Sequence, residues 1–126
     1  HMEAAAVAVD VWADGVAARA EEELRSCAAI TSLRELALDS PREIGYTFKC
    51  LGAGLWALRS NDGFTSAMRA ITAEAGDADT NGALGGALLG CRLGFSQLPQ
   101  EWIAQLPHRN WLEAHTQKLL FMMRLR

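Results

Sequence analysis

Proline and cysteine are both scarce in this chain of 126 residues, which contains three of each and a single tyrosine. With so few prolines and with 50% apolar residues, the composition is that of a globular protein and excludes a disordered or proline-rich one. An excess of basic residues is also missing, because the formal net charge is −3, and nucleic acid is therefore not an expected partner. No segment sustains the alternation of apolar and polar residues that predicts a strand.

The cysteines and histidines do not follow a disulfide or metal-binding pattern. Cys27, Cys50 and Cys91 are odd in number and widely spaced, so we expect reduced, buried thiols that pack as small apolar side chains. His108 and His115 are spaced to share one face of a helix, but neither has a cysteine or a carboxylate at the spacing of a zinc site. We expect structural or surface roles for both histidines.

The ends of the sequence predict a domain boundary. His1 and Met2 resemble the remnant of a purification tag, which leaves residues 3–126 as a single helical domain. The sequence has neither a recognisable signal peptide nor an unbroken apolar span of membrane length. A cytoplasmic location is the expectation that follows.

Helical spacing of apolar residues extends along most of the chain. An alanine-rich segment, residues 3–30, predicts one long helix or two abutting ones, with the glutamates 21–23 on a solvated face. A short helix or turn is expected around Leu33, Leu36 and Leu38. Further helices are predicted at residues 41–58, 64–74, 79–93, 99–103 and 111–123. Because these lengths are so uneven, the predicted fold class is all-α, in an irregular or orthogonal bundle.

The helix at residues 41–58 has the clearest start signal. Ser40 suits the N-cap, Pro41 the first helical position, and Glu43 a capping box. Its apolar residues recur at steps of four and three and predict one buried face, formed by Ile44, Phe48, Leu51, Leu55 and Leu58.

An acidic turn precedes the helix at residues 79–93. Asp77, Asp79 and Thr80 place three hard oxygen ligands within four residues, a set that suits a divalent cation such as Mg²⁺. The alternative is that Asp79 or Thr80 is only an N-cap of the helix. The sequence of the turn by itself favours the N-cap.

Glycines recur at every fourth position of the helix that follows this turn: Gly82, Gly86, Gly90 and Gly94. Each interior glycine costs a helix roughly 1 kcal/mol relative to alanine, so the stripe predicts a close approach to another helix. The opposite stripe, with Leu84, Leu88 and Cys91, is apolar as well. We therefore expect a helix that is buried on most sides, and a functional site at its acidic start.

The motifs, taken together and in order, resemble those of the ADP-ribosylglycohydrolase family, which includes the dinitrogenase reductase-activating glycohydrolases. The resemblance covers roughly residues 40–120 and corresponds to the C-terminal half of the family's fold. It rests on Ile44-Gly45-Tyr46-Thr47 with Leu55-Trp56-Ala57-Leu58, on Gly76-Asp77-Ala78-Asp79-Thr80-Asn81 with its small-residue helix, and on Leu98-Pro99-Gln100-Glu101-Trp102.

The resemblance implies a function and a site. Asp77, Asp79 and Thr80 would be ligands of Mg²⁺, with Mn²⁺ as a substitute, and Gly45 and Tyr46 would line the ADP-ribose pocket. The implied reaction is metal-assisted removal of ADP-ribose from modified side chains. Judged without the resemblance, Tyr46 is more typical of a core aromatic.

One family feature is missing from the sequence, namely the Thr-Asp-Asp run that supplies further metal ligands. We therefore expect a fragment or a natural truncation that binds metal weakly and is inactive alone, unless a complementing N-terminal half completes the site. The alternative function is a non-catalytic helical interaction or structural protein derived from the same fold. In either case we expect exposed apolar surface and a homo-oligomer, most simply a dimer.

Overall fold

The computed structural model describes the backbone of residues 2–125 and the side chains of residues 15–125. It contains six α-helices: α1 (Met2–Ala29), α2 (Thr47–Arg59), α3 (Phe64–Ala73), α4 (Ala78–Leu93), α5 (Gln100–Gln105) and α6 (Arg109–Met122). Two single turns of 3₁₀-helix lie at Leu33–Leu36 and Phe95–Gln97. Residues 2–125 contain no strand, and the predicted all-α class is confirmed.

The N-terminal segment forms one helix, which decides between the two arrangements that the sequence left open. α1 continues without a break through Asp14 and Gly15. A single interior glycine costs only about 1 kcal/mol, which the remaining helical turns can offset. The periodic residues Val7 and Val11 lie outside the described side chains.

The predicted start of α2 is wrong by six residues. Residues 41–45 form consecutive turns, in which the N–H of Glu43 donates to the Ser40 carbonyl and the N–H of Tyr46 to the Glu43 carbonyl. Gly45 has a φ of 75°, which interrupts a right-handed helix. The Glu43 carboxylate pairs with Lys49. Gly45 and Tyr46 therefore lie just before the helix and not in its first turn.

The predicted apolar face of α2 is also wrong. Ile44 is exposed. The other four residues of the predicted face are only half-buried: Phe48, Leu51, Leu55 and Leu58. The buried face consists of small residues, which allow neighbouring backbones to come close: Cys50, Gly52, Ala53, Gly54 and Ala57.

The core lies where α1, α2, α3 and α4 meet. α2 packs against α1 on one side and against α4 on the other, and α3 covers a further side of α4. The segment between α1 and α2 forms the expected short helix and contributes the buried residues Leu33, Leu36 and Leu38. The other buried apolar residues of this core are Ile30, Ala53, Ala57, Ala67, Met68, Ile71 and Leu89.

The glycine stripe of α4 is not the buried seam that the sequence predicts. The buried residues of α4 are Asn81, Gly85 and Leu89, one position away from the stripe. A Cβ on Gly85 would lie 2.5 Å from Cδ1 of Ile71, whereas a Cβ on Gly82 or Gly94 would meet no atom within 4 Å. Much of the opposite face is accessible too, and Cys91 is exposed. α4 is therefore central in position but not buried on most sides.

The C-terminal helices begin and end close to their predicted positions. Pro99 is the N-cap of α5, and α6 starts at Arg109, two residues before the predicted start. Most large apolar side chains of α6 are exposed. Within the described residues, no helix has the combined length and apolar character needed to cross a bilayer.

Candidate functional site

The acidic turn lies at the start of α4, where the sequence predicts it. Asp77 is the N-cap residue, but its side chain makes no capping hydrogen bond. Ala75 and Gly76 before it both have positive φ, 59° and 67°. A Cβ on Gly76 would collide with the Leu38 carbonyl oxygen, so glycine is required where this turn meets the buried 33–38 segment.

The two carboxylates of the turn interact with each other. A hydrogen bond to the Asp77 carboxyl, followed by bonds from the N–H groups of Thr80 and Asp79, holds the pKa of the Asp79 carboxyl below its usual value. When both groups are ionised they repel each other, and a cation placed between them would relieve that repulsion.

The turn before α2 lies directly against the acidic turn. A Cβ on Gly45 would be 3.2 Å from Oδ2 of Asp77, so the absence of a side chain at Gly45 leaves room for this carboxylate. Below this contact, the Cys50 thiol donates to the Thr80 carbonyl oxygen at 3.9 Å. Burial, and then the nearby Asp77 carboxylate, raise the pKa of the Cys50 thiol. The fold thus brings together the two sets of predicted site residues.

Tyr46 is anchored at the surface and is not the core aromatic that the residue alone suggests. Its ring is 37% exposed and stacks edge-on against Phe48. The phenol donates to Oε2 of Glu23 at 2.9 Å, and this hydrogen bond is the main reason that the pKa of Tyr46 is raised. The glutamates 21–23 are all exposed, as predicted, but Glu23 in addition has a specific partner.

A pocket of about 520 Å³ lies beside the turn before α2. It is lined by Glu23, Arg42, Glu43, Ile44, Gly45 and Tyr46. Lys49 Nζ donates to Oε2 of Glu43 at 2.6 Å, and this bond holds the pKa of Glu43 below its usual value. Sequence analysis missed Glu23 and Arg42. Glu23 reaches this pocket because α1 packs against α2, and Arg42 lines it from the turns before α2.

The donor atoms at the acidic turn fit part of the coordination sphere of a hard cation. Asp77, Asp79 and Thr80 offer two carboxylates and a hydroxyl, the oxygen ligands that Mg²⁺ prefers. In the described part of the chain, no group of three or more His, Cys, Asp or Glu side chains could hold a metal ion. The remaining ligands would have to be water, substrate or residues outside the described part of the chain.

The cysteines and histidines are the remaining features that the sequence singles out. Cys27, Cys50 and Cys91 are free thiols, but only Cys50 is buried, so the expectation of three buried cysteines is wrong for the other two. His108 is the N-cap residue of α6, while His115 lies within it and stacks on Trp111.

A larger cavity, of about 670 Å³, lies where α3, α4 and α5 meet. Its walls are mostly apolar and include Phe64, Met68, Gly82, Gly86 and Trp102. Because it has no carboxylate or histidine in its lining, it offers no group for acid–base or metal chemistry. The candidate site is therefore the acidic turn together with the smaller pocket beside the turn before α2, which Gly45 connects.

The chain belongs to the ADP-ribosylglycohydrolase family, whose model matches residues 2–126. Among curated proteins, it is similar to the ADP-ribosylarginine hydrolase Tri1 of Serratia proteamaculans (strain 568), with 28% identity over 89 residues, or 71% of this chain and 24% of the relative. It is also similar to the ADP-ribosylarginine hydrolase Tri1 of Pseudomonas putida (strain GB-1), with 36% identity over 81 residues, or 64% of this chain and 21% of the relative. The matched segment thus spans less than a quarter of either relative. No solved structure matches the chain.

Proposed function

We propose that this chain supplies metal-binding and ADP-ribose-binding residues for the hydrolytic removal of ADP-ribose from modified side chains. The observation that carries the proposal is the contact of Gly45 with the Asp77 carboxylate. This contact puts the turn expected to bind ADP-ribose next to the turn expected to bind metal. The names of the two curated relatives, both ADP-ribosylarginine hydrolases, support modified arginine as the target.

Each residue has a distinct part in this proposal. Asp77, Asp79 and Thr80 hold a divalent cation, in keeping with the metal dependence typical of the family. Such a cation, when bound, would polarise the substrate and lower the pKa of a bound water. Gly45 leaves space for the ligand to approach the backbone, and the Tyr46 ring, fixed by Glu23, offers a surface for stacking. Two carboxylates and a hydroxyl hold a cation weakly, and much of its water remains.

Binding and turnover of the 126-residue chain test the proposal separately. With Mg²⁺ or Mn²⁺ present, calorimetry should detect ADP-ribose binding that Asp79→Ala abolishes and that Asp62→Ala, an exposed carboxylate in the loop before α3, leaves intact. Release of ADP-ribose from an ADP-ribosylated arginine peptide should stay near background. Metal-independent or absent ADP-ribose binding would contradict the proposed site. Turnover abolished by Asp79→Ala would contradict the expected inactivity.

A non-catalytic interaction protein is the second candidate function. It is favoured by the exposed apolar side chains of the C-terminal region, where Trp111 is 62% and Phe121 83% exposed. Under this alternative the chain would associate with itself or with another protein without needing metal or ADP-ribose. The cytoplasmic location stays a prediction under both functions.

A further inference from the structure

Glu23 connects α1 to the turn before α2. Its Oε2 accepts a hydrogen bond from the Tyr46 phenol at 2.9 Å, although the two residues are 23 positions apart in the sequence. Glu21, two residues earlier, bonds within α1 instead, to Arg25. Glu23 also lies outside residues 40–120, over which the sequence resembles the family. Its contact with the site is therefore a feature of the structure alone.

The close crossing of α1 and α2 sets the position of Glu23. One helical turn after it, a Cβ on Gly52 would lie 2.7 Å from the Cys27 carbonyl oxygen, so the backbones of the two helices are nearly in contact. Further along, the Arg59 guanidinium donates to the Ile30 carbonyl oxygen at 3.0 Å. Because these contacts involve the α1 backbone, α1 stays beside α2 whether or not the Glu23 side chain is present.

The Tyr46 side chain is held at two points. Its hydroxyl bonds to Glu23, and its ring packs edge-on against Phe48 with the ring centroids 5.6 Å apart. An exposed side chain that is free to change rotamer loses that freedom when a ligand stacks on it, and this loss weakens binding. Tyr46 is 37% exposed, yet both contacts restrict it before any ligand arrives.

We infer that Glu23 is a positioning residue for ADP-ribose, because its hydrogen bond holds the Tyr46 ring in the orientation in which the ligand stacks on it. The inference deepens the proposed function and rests on it. Charge alone predicts the opposite effect. Glu23 and Glu43 both line the pocket, and two carboxylates repel the anionic diphosphate of ADP-ribose. Removal of Glu23 should thus strengthen binding if only its charge matters, and weaken binding if its hydrogen bond matters.

The hydrogen bond itself can be measured without a ligand. Tyr46 is the single tyrosine of the chain, so an ultraviolet titration reports on its phenol. The bond to Glu23, then burial and the charges of Glu23, Cys27 and Glu43, raise the pKa of Tyr46 above its usual value of about 10. Glu23→Ala should lower this pKa toward the usual value. Glu22→Ala, an exposed glutamate of the same helix, should leave it raised.

Binding of ADP-ribose is then measured by calorimetry in the presence of Mg²⁺. Glu23→Ala and Tyr46→Phe each remove the hydrogen bond, and each should lower the affinity by about two- to tenfold. The double variant that combines them should lose no more than either single variant, because both residues act through one bond. Glu23→Gln keeps an acceptor oxygen without the charge and should bind nearly as the parent does. Glu22→Ala should match the parent.

The outcomes separate this inference from the proposed function. If the parent binds ADP-ribose and Glu23→Ala binds it equally well or better, Glu23 does not position Tyr46, while the proposed function stands. Additive losses in the double variant, or a Glu23→Gln variant as weak as Glu23→Ala, would also contradict the inference. If the parent does not bind ADP-ribose, the proposed function and the inference both fail. Circular dichroism checks the helices, and if Glu23→Ala loses them, Tyr46→Phe and Glu23→Gln still decide.

Discussion

Three glutamates that look alike in the sequence have different partners in the structure. Glu23 accepts a hydrogen bond from Tyr46 on another element, and Glu43 pairs with Lys49 of α2. Glu35 contacts only residues close to it in the sequence. Its Oε1 accepts hydrogen bonds from the N–H of Ser32 at 2.7 Å and from the N–H and hydroxyl of Thr31 at 3.0 and 2.9 Å. Of these contacts, only the local one follows from sequence spacing.

Glu35 should make the stability of the chain depend on pH. Its hydrogen bonds, first that from the Ser32 N–H, hold the pKa of the carboxyl below the usual value of about 4.5. A carboxyl group whose pKa is lower in the folded than in the unfolded protein stabilises the fold at pH values above its unfolded-state pKa. This stabilisation is lost as the pH falls through the folded-state pKa. Glu35→Ala should therefore lower the melting temperature slightly at pH 7, and this difference should shrink as the pH falls below about 4.5. A difference that does not shrink with falling pH, or that Glu22→Ala on α1 reproduces, would contradict this role.

The positions of the site residues along the chain could be predicted, but their contacts across elements could not. Asp77, Asp79 and Thr80 could be placed at a helix start from the sequence, and the structure has them there. The contact of Asp77 with Gly45 depends on how α2 packs against α4, which no local pattern specifies. The resemblance to the family implies Gly45 and Tyr46, whereas the contact of Glu23 with Tyr46 depends on how α1 packs against α2.

Some of the helical glycines are needed for close packing between helices, and others are not. Gly52 lets α2 cross α1 closely, since a Cβ there would lie 2.7 Å from the Cys27 carbonyl oxygen. Gly54 makes room for Leu84 and Leu88 of α4, each with an atom 3.0 Å from where a Cβ would be. Gly82 has no such neighbour. A regular glycine spacing is therefore a poor guide to which glycines pack closely.

The same substitution at two helical glycines should have opposite effects. Gly52→Ala pushes a methyl group into a backbone carbonyl, which cannot move without shifting α1, and should lower the free energy of unfolding by roughly 1–3 kcal/mol. Gly82→Ala, in open space, should raise it by up to about 1 kcal/mol through helix propensity. Urea denaturation of both variants measures the difference. Equal effects would mean that α1 and α2 do not cross as described.

Most helices could be located from the sequence, but the faces that they bury could not. The ends of α3, α4 and α5 lie within two residues of prediction, because apolar spacing and turn residues are local signals. The start of α2 was misplaced because the Ser40-Pro41-Glu43 signal precedes a series of turns that ends at Gly45. Its buried face was misassigned because large apolar residues were expected to pack where small ones permit closer contact.

The distribution of apolar surface over the described chain is uneven. The core lies in the first four helices, whereas the C-terminal region exposes large apolar side chains, among them Trp111, Leu112, Leu119, Phe121, Met122, Met123 and Leu125. Trp111, Leu119 and Met122 fall on one face of α6. Exposed apolar patches of this kind are typical of protein–protein contacts.

We expect α6 to mediate self-association of the 126-residue chain. Sedimentation should give a mass that rises with protein concentration, and the melting temperature should rise with it. Leu119→Glu should shift the equilibrium toward the monomer by placing a charge in the apolar face. Gln117→Glu, which adds the same charge on the other side of α6, should not. A parent chain that is monomeric at all micromolar concentrations would contradict this expectation.

The proposed shared location of metal-binding and ADP-ribose-binding residues can be tested with Mn²⁺ as a paramagnetic substitute for Mg²⁺. Low concentrations of Mn²⁺, added to the ¹⁵N-labelled chain, should first broaden the amide signals of Gly45, Tyr46, Asp77, Asp79 and Thr80 together, because Gly45 lies against the Asp77 carboxylate. Asp79→Ala should remove this selective broadening. Broadening confined to the glutamates 21–23, or the same broadening in Asp79→Ala, would contradict a metal site shared by the two turns.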